Sequence, residues 1–223
     1  MFIVWDCDGV VFDSNIRKHL LFKTFLQQYD QAHATERYEY VYAHPELTRF
    51  QLFDLWYPND SVYMLRKFNR ECQLMYETIP PNPTVCRLAR EHDSAIVSNS
   101  RGLDVQHAIT FHAIDDCFKY AVHGSPATKQ EHIQALMARA GIKPNVIVGD
   151  GRLDFDTACI FGTAFIFFSP YTAWNEGAAC IDRCTTIPCY EARTEHDLER
   201  LIGQLSVKNT FSNNGGVHEH ITI

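Results

Sequence analysis

The sequence predicts an α/β protein: a doubly wound, Rossmann-like parallel sheet with an inserted helical domain. Short apolar runs, rich in β-branched or aromatic residues, suit strands that are buried on both faces of a parallel sheet. They recur along the chain as FIVW (2–5), AIV (95–97), VIV (146–148) and AFIFF (164–168). Helical patterns lie between the later runs, and this alternation predicts helices on both faces of one sheet.

Further elements follow from local patterns. A weaker fifth strand is predicted at FKYAV (118–122). One helix has apolar residues at positions i, i+3, i+4 and i+7, ahead of Gly141, and these are Ile133, Leu136, Met137 and Ala140. Near the end, Thr194 and Asp197 resemble a capping box. It precedes the apolar stripe of a last helix, formed by Leu198, Leu201, Ile202 and Leu205.

Residues 15–80 interrupt the alternation with helical stripes and no convincing strand. One stripe is Phe22, Phe25, Leu26 and Tyr29, and another is Leu65, Phe68, Cys72, Met75 and Ile79. The proline cluster IPPNP (79–83) ends this segment and forms a natural hinge back to the sheet. We therefore expect an α/β core at 1–14 and 81–205, a helical cap at 15–80 and a flexible tail at 206–223. His218 and His220 in that tail could bind a metal, although a flexible polar terminus is the favoured interpretation.

Composition limits the classes of partner. With 223 residues and 46% hydrophobic content, the chain can build a sizeable core. A formal net charge of −7 provides no basic field for nucleic acid or anionic lipid. The first residues, MFIVWDCDG, lack the charged start and the apolar length of a signal peptide or membrane span. We expect a cytoplasmic protein without a nucleic-acid or membrane partner, and the sequence does not predict its oligomeric state.

Eight cysteines are present without a CxxC pair, and several lie in apolar runs where a reduced thiol packs as a small hydrophobe. The tightest group is Cys180, Cys184 and Cys189. It could bind a metal, but its spacing does not match a structural zinc site, and incidental clustering is the favoured interpretation.

Polar residues that suit phosphate chemistry follow three of the predicted strands. Asp6 and Asp8 follow the first strand, at alternate positions that an extended backbone would point to the same side. Ser98 and Asn99 follow AIV, Lys129 begins a predicted helix, and VGDGRLD places Asp150 and Asp154 after VIV. In an open α/β sheet, ligands bind at the carboxyl edge of the strands, so we expect these groups to meet there.

Four carboxylates at one edge would repel one another unless a cation offsets them. Lys129 supplies one positive charge, and a hard divalent ion would supply more. Oxygen ligands without His or Cys favour Mg²⁺, which often bridges to phosphate. The sequence therefore predicts a magnesium site that includes Asp6, Asp8, Asp150 and Asp154.

DCDGVVFDS, VSNS, Lys129 and VGDGRLDFDTACIFG resemble, in order, the four motifs of the haloacid dehalogenase-like (HAD) superfamily. The resemblance is to its phosphatase branch, related to phosphoglycolate phosphatase and β-phosphoglucomutase, and the helical segment matches the position of a C1-type cap. It implies that Asp6 is a nucleophile that forms an aspartyl-phosphate and that Asp8 is the general acid/base. It also implies that Asp6, the Asp8 backbone carbonyl and Asp150, supported by Asp154, bind Mg²⁺. Ser98, Asn99 and Lys129 would hold the phosphoryl oxygens.

Several of these positions have structural alternatives. Ser98 could merely end its strand, and Asp154 could cap a helix, alone or in addition to its role in the site. Lys129 lies three residues after Pro126, whereas many members of the family have the lysine directly before a proline. An exposed lysine at a helix start is the alternative, with Lys119 as the substitute phosphate ligand.

The resemblance implies hydrolysis of a small phosphorylated metabolite. Asp8 argues against the dehalogenase and phosphonatase branches. A phosphomutase of the β-phosphoglucomutase type is disfavoured, because Lys18 stands where that type usually has a histidine, and His19 is one place late. A non-catalytic module that binds a phosphometabolite is a further alternative. Residues of the cap that could select the substrate are Arg17, Lys18, His19, Arg37, Tyr40, His44, Arg49 and Trp56.

Overall fold

A computed structural model describes residues 1–44, 47–120, 122–141 and 143–214. Six parallel strands form one sheet in the order β3-β2-β1-β4-β5-β6. The strands are β1 (Phe2–Trp5), β2 (Asp93–Arg101), β3 (Val122–Ser125), β4 (Val146–Gly149), β5 (Ala164–Phe168) and β6 (Cys189–Ala192). The prediction of a doubly wound parallel sheet is confirmed.

Ten α-helices lie in the described part of the chain. The first four, before the second strand, are α1 (Asn15–Tyr29), α2 (Ala34–Ala43), α3 (Arg49–Trp56) and α4 (Ser61–Glu77). The remaining helices alternate with the strands and are α5 (Pro83–Glu91), α6 (Gly102–Phe111), α7 (Lys129–Ala140), α8 (Arg152–Phe161), α9 (Gly177–Asp182) and α10 (Glu195–Asn214). A short 3₁₀ turn occupies Asp115–Cys117.

The sheet is buried on both faces. Ile3 and Trp5 of β1 face a cluster that includes apolar residues of α5, α6 and α10. Phe2 and Val4 face the opposite cluster, with residues of α7, α8 and α9. All four side chains of β1 are nearly inaccessible, which explains why the strand is a continuous apolar run.

Helices α1 to α4 pack around a third apolar cluster of their own, which includes Phe22, Phe25, Phe53 and Phe68. We refer to residues 15–80 as the helical insertion. Polar contacts join it to the core, notably the ion pair between Arg49 Nη1 and Asp104 Oδ2 at 2.7 Å. The insertion therefore has an interior of its own and lies against α6.

The structure corrects the sequence prediction at three places. The weak fifth strand was predicted too early, because residues 115–117 form a 3₁₀ turn and β3 begins at Val122. The outermost strand β6 was missed, because it is short and only its last residue is fully buried. Residues 206–214 of the predicted tail are helical, because α10 continues through a segment without Gly or Pro as far as Asn214. His218 and His220 lie outside the described residues.

No helix in the described ranges has the length and apolar content needed to cross a membrane.

Candidate active site

Three neighbouring strands direct the predicted site residues to one edge of the sheet. β1 lies between β2 and β4. Asp6 directly follows β1, Asp150 directly follows β4, and Ser98 lies in the second half of β2. These positions are the carboxyl ends of the central strands, where an open α/β sheet binds its ligands.

Asp6, Asp150 and Asp154 form a buried group that we call the acidic cluster. One carboxylate oxygen from each lies within 4.8 Å of the others. Lys129 Nζ lies 2.7 Å from Asp6 Oδ1 and also contacts Asp154 Oδ1. A capping box fixes the start of α7, because the Thr128 hydroxyl and the Glu131 carboxylate bond to each other's backbone N–H groups. Lys129 is therefore the first residue of a well-defined helix, and its side chain points into the cluster.

Two glycines make room for these carboxylates. A Cβ on Gly149 would collide with the Asp154 side chain, and one on Gly9 would collide with Asp150 and Asn15. Gly9 also has φ +73°, a left-handed conformation that favours glycine. Asn15 Nδ2 donates to Asp150 Oδ2 at 2.6 Å, which orients that carboxylate. Glycine is thus needed at both positions for close packing around the cluster.

Charge in the acidic cluster is unbalanced. Burial, together with the charge of Asp154, raises the pKa of Asp6 to about 7, although Lys129 opposes this shift. Burial and the charges of Asp6 and Asp154 raise the pKa of Asp150 to about 9. Burial alone would lower the pKa of Lys129, but Asp154 and Asp6 raise it well above its ordinary value. One ammonium group does not compensate three buried carboxylates.

Asp8 lies beside this cluster but has different partners. Its carboxylate accepts hydrogen bonds from Tyr76 Oη at 2.7 Å, from Ser100 Oγ at 2.7 Å and from Ser14 Oγ. Lys18 Nζ, from the first helix of the insertion, lies 2.5 Å from Asp8 Oδ2. We call Asp8, Ser14, Lys18, Tyr76 and Ser100 the Asp8 network. Two of its members, Lys18 and Tyr76, belong to the helical insertion.

The Asp8 network stabilises the ionised carboxylate. Burial by itself would raise the pKa of Asp8, but the Lys18 ammonium and the hydrogen bonds from Lys18, Ser100 and Ser14 lower it below its ordinary value. Burial and the charge of Asp8 raise the pKa of Tyr76 well above its usual range. Tyr76 therefore keeps its proton and donates it to Asp8 in a hydrogen bond.

The structure places most of the predicted residues together. Ser98 is buried, and its hydroxyl donates to Asp8 Oδ2 at 3.5 Å. Asn99 is exposed at the same end of β2. Asp154 accepts a hydrogen bond from the Gly151 N–H at 3.2 Å, which supports the start of α8. The same side chain also contacts Lys129. Of the two lysines considered, Lys129 is the one in the site.

Lys119, the substitute candidate, lies elsewhere. Its side chain is 64% exposed, and it pairs at 2.6 Å with Asp93, the first residue of β2. That position is at the amino end of the strand, opposite the edge that contains Ser98. Lys119 therefore cannot serve as the substitute phosphate ligand at the candidate site.

The Asp8 carboxylate lies outside the acidic cluster, although the sequence predicts Asp6 and Asp8 at one metal site. The chain leaves the extended conformation after Trp5 and turns at Cys7, so the alternation of an extended strand no longer determines where the two carboxylates point. Asp6 joins the acidic cluster, whereas the Asp8 carboxylate is held by Lys18 and hydroxyl groups. A metal ligand from Asp8 would have to be its backbone carbonyl, as the resemblance implies.

Sequence reasoning missed several members of the site: Ser14, Asn15, Tyr76 and Ser100. Ser14 is the last residue of the opening motif DCDGVVFDS, Asn15 directly follows it, and Ser100 is the second serine of SNS, so position in or beside the motifs was an available signal. Tyr76 had none, because it is one of many aromatic residues in the insertion. Lys18 was considered as a substrate-selecting residue and as the residue in place of the mutase histidine, not as a partner of Asp8.

The acidic cluster fits a divalent metal ion. Its donors are carboxylate oxygens, they are buried, and they converge within the span of one ion. The raised pKa values of Asp6 and Asp150 indicate that the group lacks positive charge, and a divalent cation would supply it. Among the described residues, no other set of three or more His, Cys, Asp or Glu side chains comes this close together.

Comparison with known proteins identifies the class. The sequence profile of the haloacid dehalogenase-like hydrolases matches residues 3–168. The chain therefore belongs to this family of hydrolases. A search of curated protein sequences finds no significant match.

Solved structures share the fold at low sequence identity. A candidate phosphoglycolate phosphatase from Lactobacillus plantarum aligns with a TM-score of 0.65 at 12% identity, over 89% of this chain and 97% of its own. The haloacid dehalogenase-like protein SP0104 from Streptococcus pneumoniae also has a TM-score of 0.65 at 16% identity, over 90% of this chain and 97% of its own. The candidate HAD hydrolase YfnB from Bacillus subtilis, solved with bound magnesium, has a TM-score of 0.64 at 15% identity, over 91% of this chain and 98% of its own. These alignments confirm a HAD-like fold over nearly the whole chain.

Proposed function

We propose that this protein is a Mg²⁺-dependent phosphatase that hydrolyses a small phosphorylated metabolite, with Asp6 as the nucleophile. One observation supports this most directly: Asp6 lies buried at the sheet edge, bound to Lys129 within the acidic cluster, and the separately ionised Asp8 is close by. Two carboxylates in such different surroundings suit two different roles in one reaction.

Asp6 would attack phosphorus in line. The Cys7 N–H donates to Asp6 Oδ1 at 2.8 Å, and Lys129 Nζ contacts the same oxygen at 2.7 Å. These bonds fix the orientation of the carboxylate, and we assign the second oxygen, Oδ2, to the attack. A covalent aspartyl-phosphate then divides one difficult hydrolysis into two easier steps.

Asp8 would act as the general acid of the first step and the general base of the second. Its lowered pKa suits the second step, in which an ionised carboxylate takes a proton from the attacking water. In the first step Asp8 has to donate a proton to the leaving oxygen. The negative charge of a bound phosphate raises the pKa of a neighbouring carboxylate and so favours protonation at that stage. Tyr76 and Ser100 hold the side chain in place throughout.

Positive charge and hydrogen-bond donors would hold the phosphoryl oxygens. We assign this role to Lys129, to the Ser98 hydroxyl and to Asn99 at the exposed end of β2. Asp6, Asp150 and the Asp8 backbone carbonyl, supported by Asp154, would hold Mg²⁺. When bound, the ion would neutralise charge that develops on the transferring phosphoryl group. The bound magnesium in the related structure of YfnB supports the choice of ion.

Phosphate release from p-nitrophenyl phosphate and from a panel of phosphorylated metabolites tests the proposal. We expect release with Mg²⁺, its loss with EDTA, and a loss of at least about 10³-fold in Asp6→Asn. The matched control is Asp156→Asn, which changes an exposed aspartate of α8 outside the acidic cluster and should keep its activity.

Three outcomes would contradict the proposal. Turnover that survives Asp6→Asn would remove the assigned nucleophile. Phosphate that moves within a sugar phosphate without release would indicate a phosphomutase. Metabolite binding in calorimetry, without release across the panel, would indicate a non-catalytic binding module.

A further inference from the structure

The first residue of the helical insertion is bonded directly to a carboxylate of the acidic cluster. α1 begins at Asn15, and its side-chain amide nitrogen makes two hydrogen bonds. It donates to Asp150 Oδ2 at 2.6 Å and to the backbone carbonyl of Tyr171, in the loop after β5, at 2.9 Å. Ser14, not Asn15, occupies the N-cap position of α1, so both bonds of the Asn15 amide leave its own helix.

The loop after β5 also holds Asp150 from the other side. The Thr172 hydroxyl donates to the Asp150 backbone carbonyl, and it accepts a hydrogen bond from the Trp174 N–H at 2.9 Å. Asn15 therefore holds the Asp150 carboxylate, and Thr172 holds its backbone. Asp150 is 6% exposed, and a buried polar group that loses its partner costs free energy because water cannot replace the bond. The position of Asn15 thus affects how Asp150 is oriented.

The same loop reaches the second connection between the insertion and the core. Tyr171 Oη donates to Glu195 Oε1 at 3.1 Å, and Asn82 Nδ2 donates to the same oxygen at 3.3 Å. Asn82 in turn caps α5, because its Oδ1 accepts from the Thr84 N–H at 3.0 Å. The chain enters the insertion at Asn15 and returns to the core just before Asn82. Hydrogen bonds therefore connect Asp150 to both ends of the insertion.

The first turn of α1 spans both halves of the candidate site. Asn15 and Lys18 are three residues apart in this helix and so lie on the same face. Asn15 contacts Asp150 of the acidic cluster, whereas Lys18 Nζ lies 2.5 Å from Asp8 Oδ2 and also contacts Ser100 Oγ. A displacement of Asn15 would therefore move Lys18 relative to Asp8.

We propose that Asn15 is a positioning residue that couples Mg²⁺ binding in the acidic cluster to the placement of the helical insertion over Asp8. The inference rests on the proposed function, which assigns Asp150 as a metal ligand. A hydrogen bond to a ligating carboxylate orients it and strengthens metal binding, and Asn15 makes this bond only when α1 begins where the structure has it. Coupling between two binding events is reciprocal. Mg²⁺ therefore holds the start of the insertion in place by the same factor by which that placement raises Mg²⁺ affinity.

Calorimetry and hydrogen exchange of the full chain with Mg²⁺ alone test the coupling. Mass spectrometry measures exchange in peptides from the first turns of α1, with and without saturating Mg²⁺. In the unchanged protein we expect Mg²⁺ to slow this exchange by about 10- to 100-fold. Asn15→Ala should lower Mg²⁺ affinity by about the same factor and, at concentrations that saturate the variant, should abolish the metal-dependent slowing. Asn59→Ala, which changes an exposed asparagine between α3 and α4, is the matched control and should keep both properties.

The metal dependence distinguishes coupling from a purely structural role. If Asn15 only stabilised the start of α1, Asn15→Ala would speed exchange equally with and without Mg²⁺, and that result would overturn the proposal. Exchange that Mg²⁺ does not alter in the unchanged protein would also overturn it, and this measurement needs no variant that has to fold. In either case Mg²⁺ binding itself would leave the phosphatase proposal standing. An unchanged protein that does not bind Mg²⁺ would overturn both.

Discussion

Asp6 and Asp8 are separated by one residue, but they lie in regions of opposite electrostatic character. Asp6 belongs to the acidic cluster, where the ends of β1 and β4 and the starts of α7 and α8 bring three carboxylates to one ammonium group. Asp8 belongs to a network that includes the helical insertion, where one carboxylate receives an ammonium group and several hydroxyl groups. Burial affects both, yet the pKa of Asp6 is raised and that of Asp8 is lowered.

This difference shows how one short motif can serve two chemical roles. The acidic cluster is incomplete without an additional cation, because its negative charges exceed its positive charges. The Asp8 network compensates its charge with residues of the chain itself. We therefore expect the two regions to respond differently to substitution, to metal and to pH.

The largest effect is expected in the Asp8 network. Lys18→Met removes the ammonium group beside Asp8, so the pKa of Asp8 should rise by about one to three units. Ionised Asp8 is needed in the second step, so where hydrolysis of the aspartyl-phosphate limits turnover the acidic limb of the pH profile of kcat should move upward by the same amount. This shift lowers kcat about 10- to 10³-fold at a pH below the new limb. Lys18→Arg keeps the charge and should largely restore the profile. An acidic limb that does not move in Lys18→Met would show that Lys18 does not control Asp8.

A smaller effect concerns pH and metal binding in the acidic cluster. In the metal-free protein the pKa values of Asp6 and Asp150 are raised to about 7 and about 9, so a divalent ion must displace protons. Mg²⁺ affinity should therefore rise with pH, by up to about 100-fold from pH 7 to 9 if one proton leaves per ion bound. Calorimetry in two buffers of different ionisation enthalpy measures the protons released, and Asp150→Asn should release fewer.

The raised pKa values of Asp6 and Asp150 also determine how the free energy of unfolding changes with pH. Between pH 3.8 and about 9, the folded metal-free protein holds protons on these carboxyl groups that the unfolded chain has lost. Their contribution to the free energy of unfolding therefore falls as pH rises through this range. Asp150→Asn should reduce that fall, whereas the exposed Asp156→Asn should not. If the free energy of unfolding changed equally with pH in both variants, that result would contradict the raised pKa of Asp150.

The smallest effect tests the close packing around Asp154. In Gly149→Ala the new Cβ would overlap the Asp154 side chain, so the carboxylate should shift and Mg²⁺ affinity should fall about 10- to 100-fold. Gly203→Ala is the control, because a Cβ at this position in α10 meets no atom within 4 Å. It should leave metal binding unchanged and raise the free energy of unfolding by about 0.5–1 kcal/mol. Equal metal affinity in both variants would show that Gly149 is not needed for the cluster.

Much of the fold was predictable because burial on both faces produces a simple signal. The strands that form the middle of the sheet are continuous apolar runs, and the residues after them are polar. β6 was missed because an edge strand is half-covered, so its composition lacks this signal. The length of α10 was underestimated because polar residues without a helix breaker permit both a helix and a tail.

For the candidate site, the sequence alone determined which residue types gather at the sheet edge. Acidic residues that directly follow parallel strands lie at the same edge of the sheet, because all parallel strands end at that edge. Only the tertiary structure decided which cation each carboxylate contacts. It separated Asp6 from Asp8 at the turn after β1, selected Lys129 over Lys119, and brought Lys18 and Tyr76 from the helical insertion to Asp8. The physical reason is that charge compensation depends on distances of a few ångströms between segments far apart in sequence, and no local pattern encodes those distances.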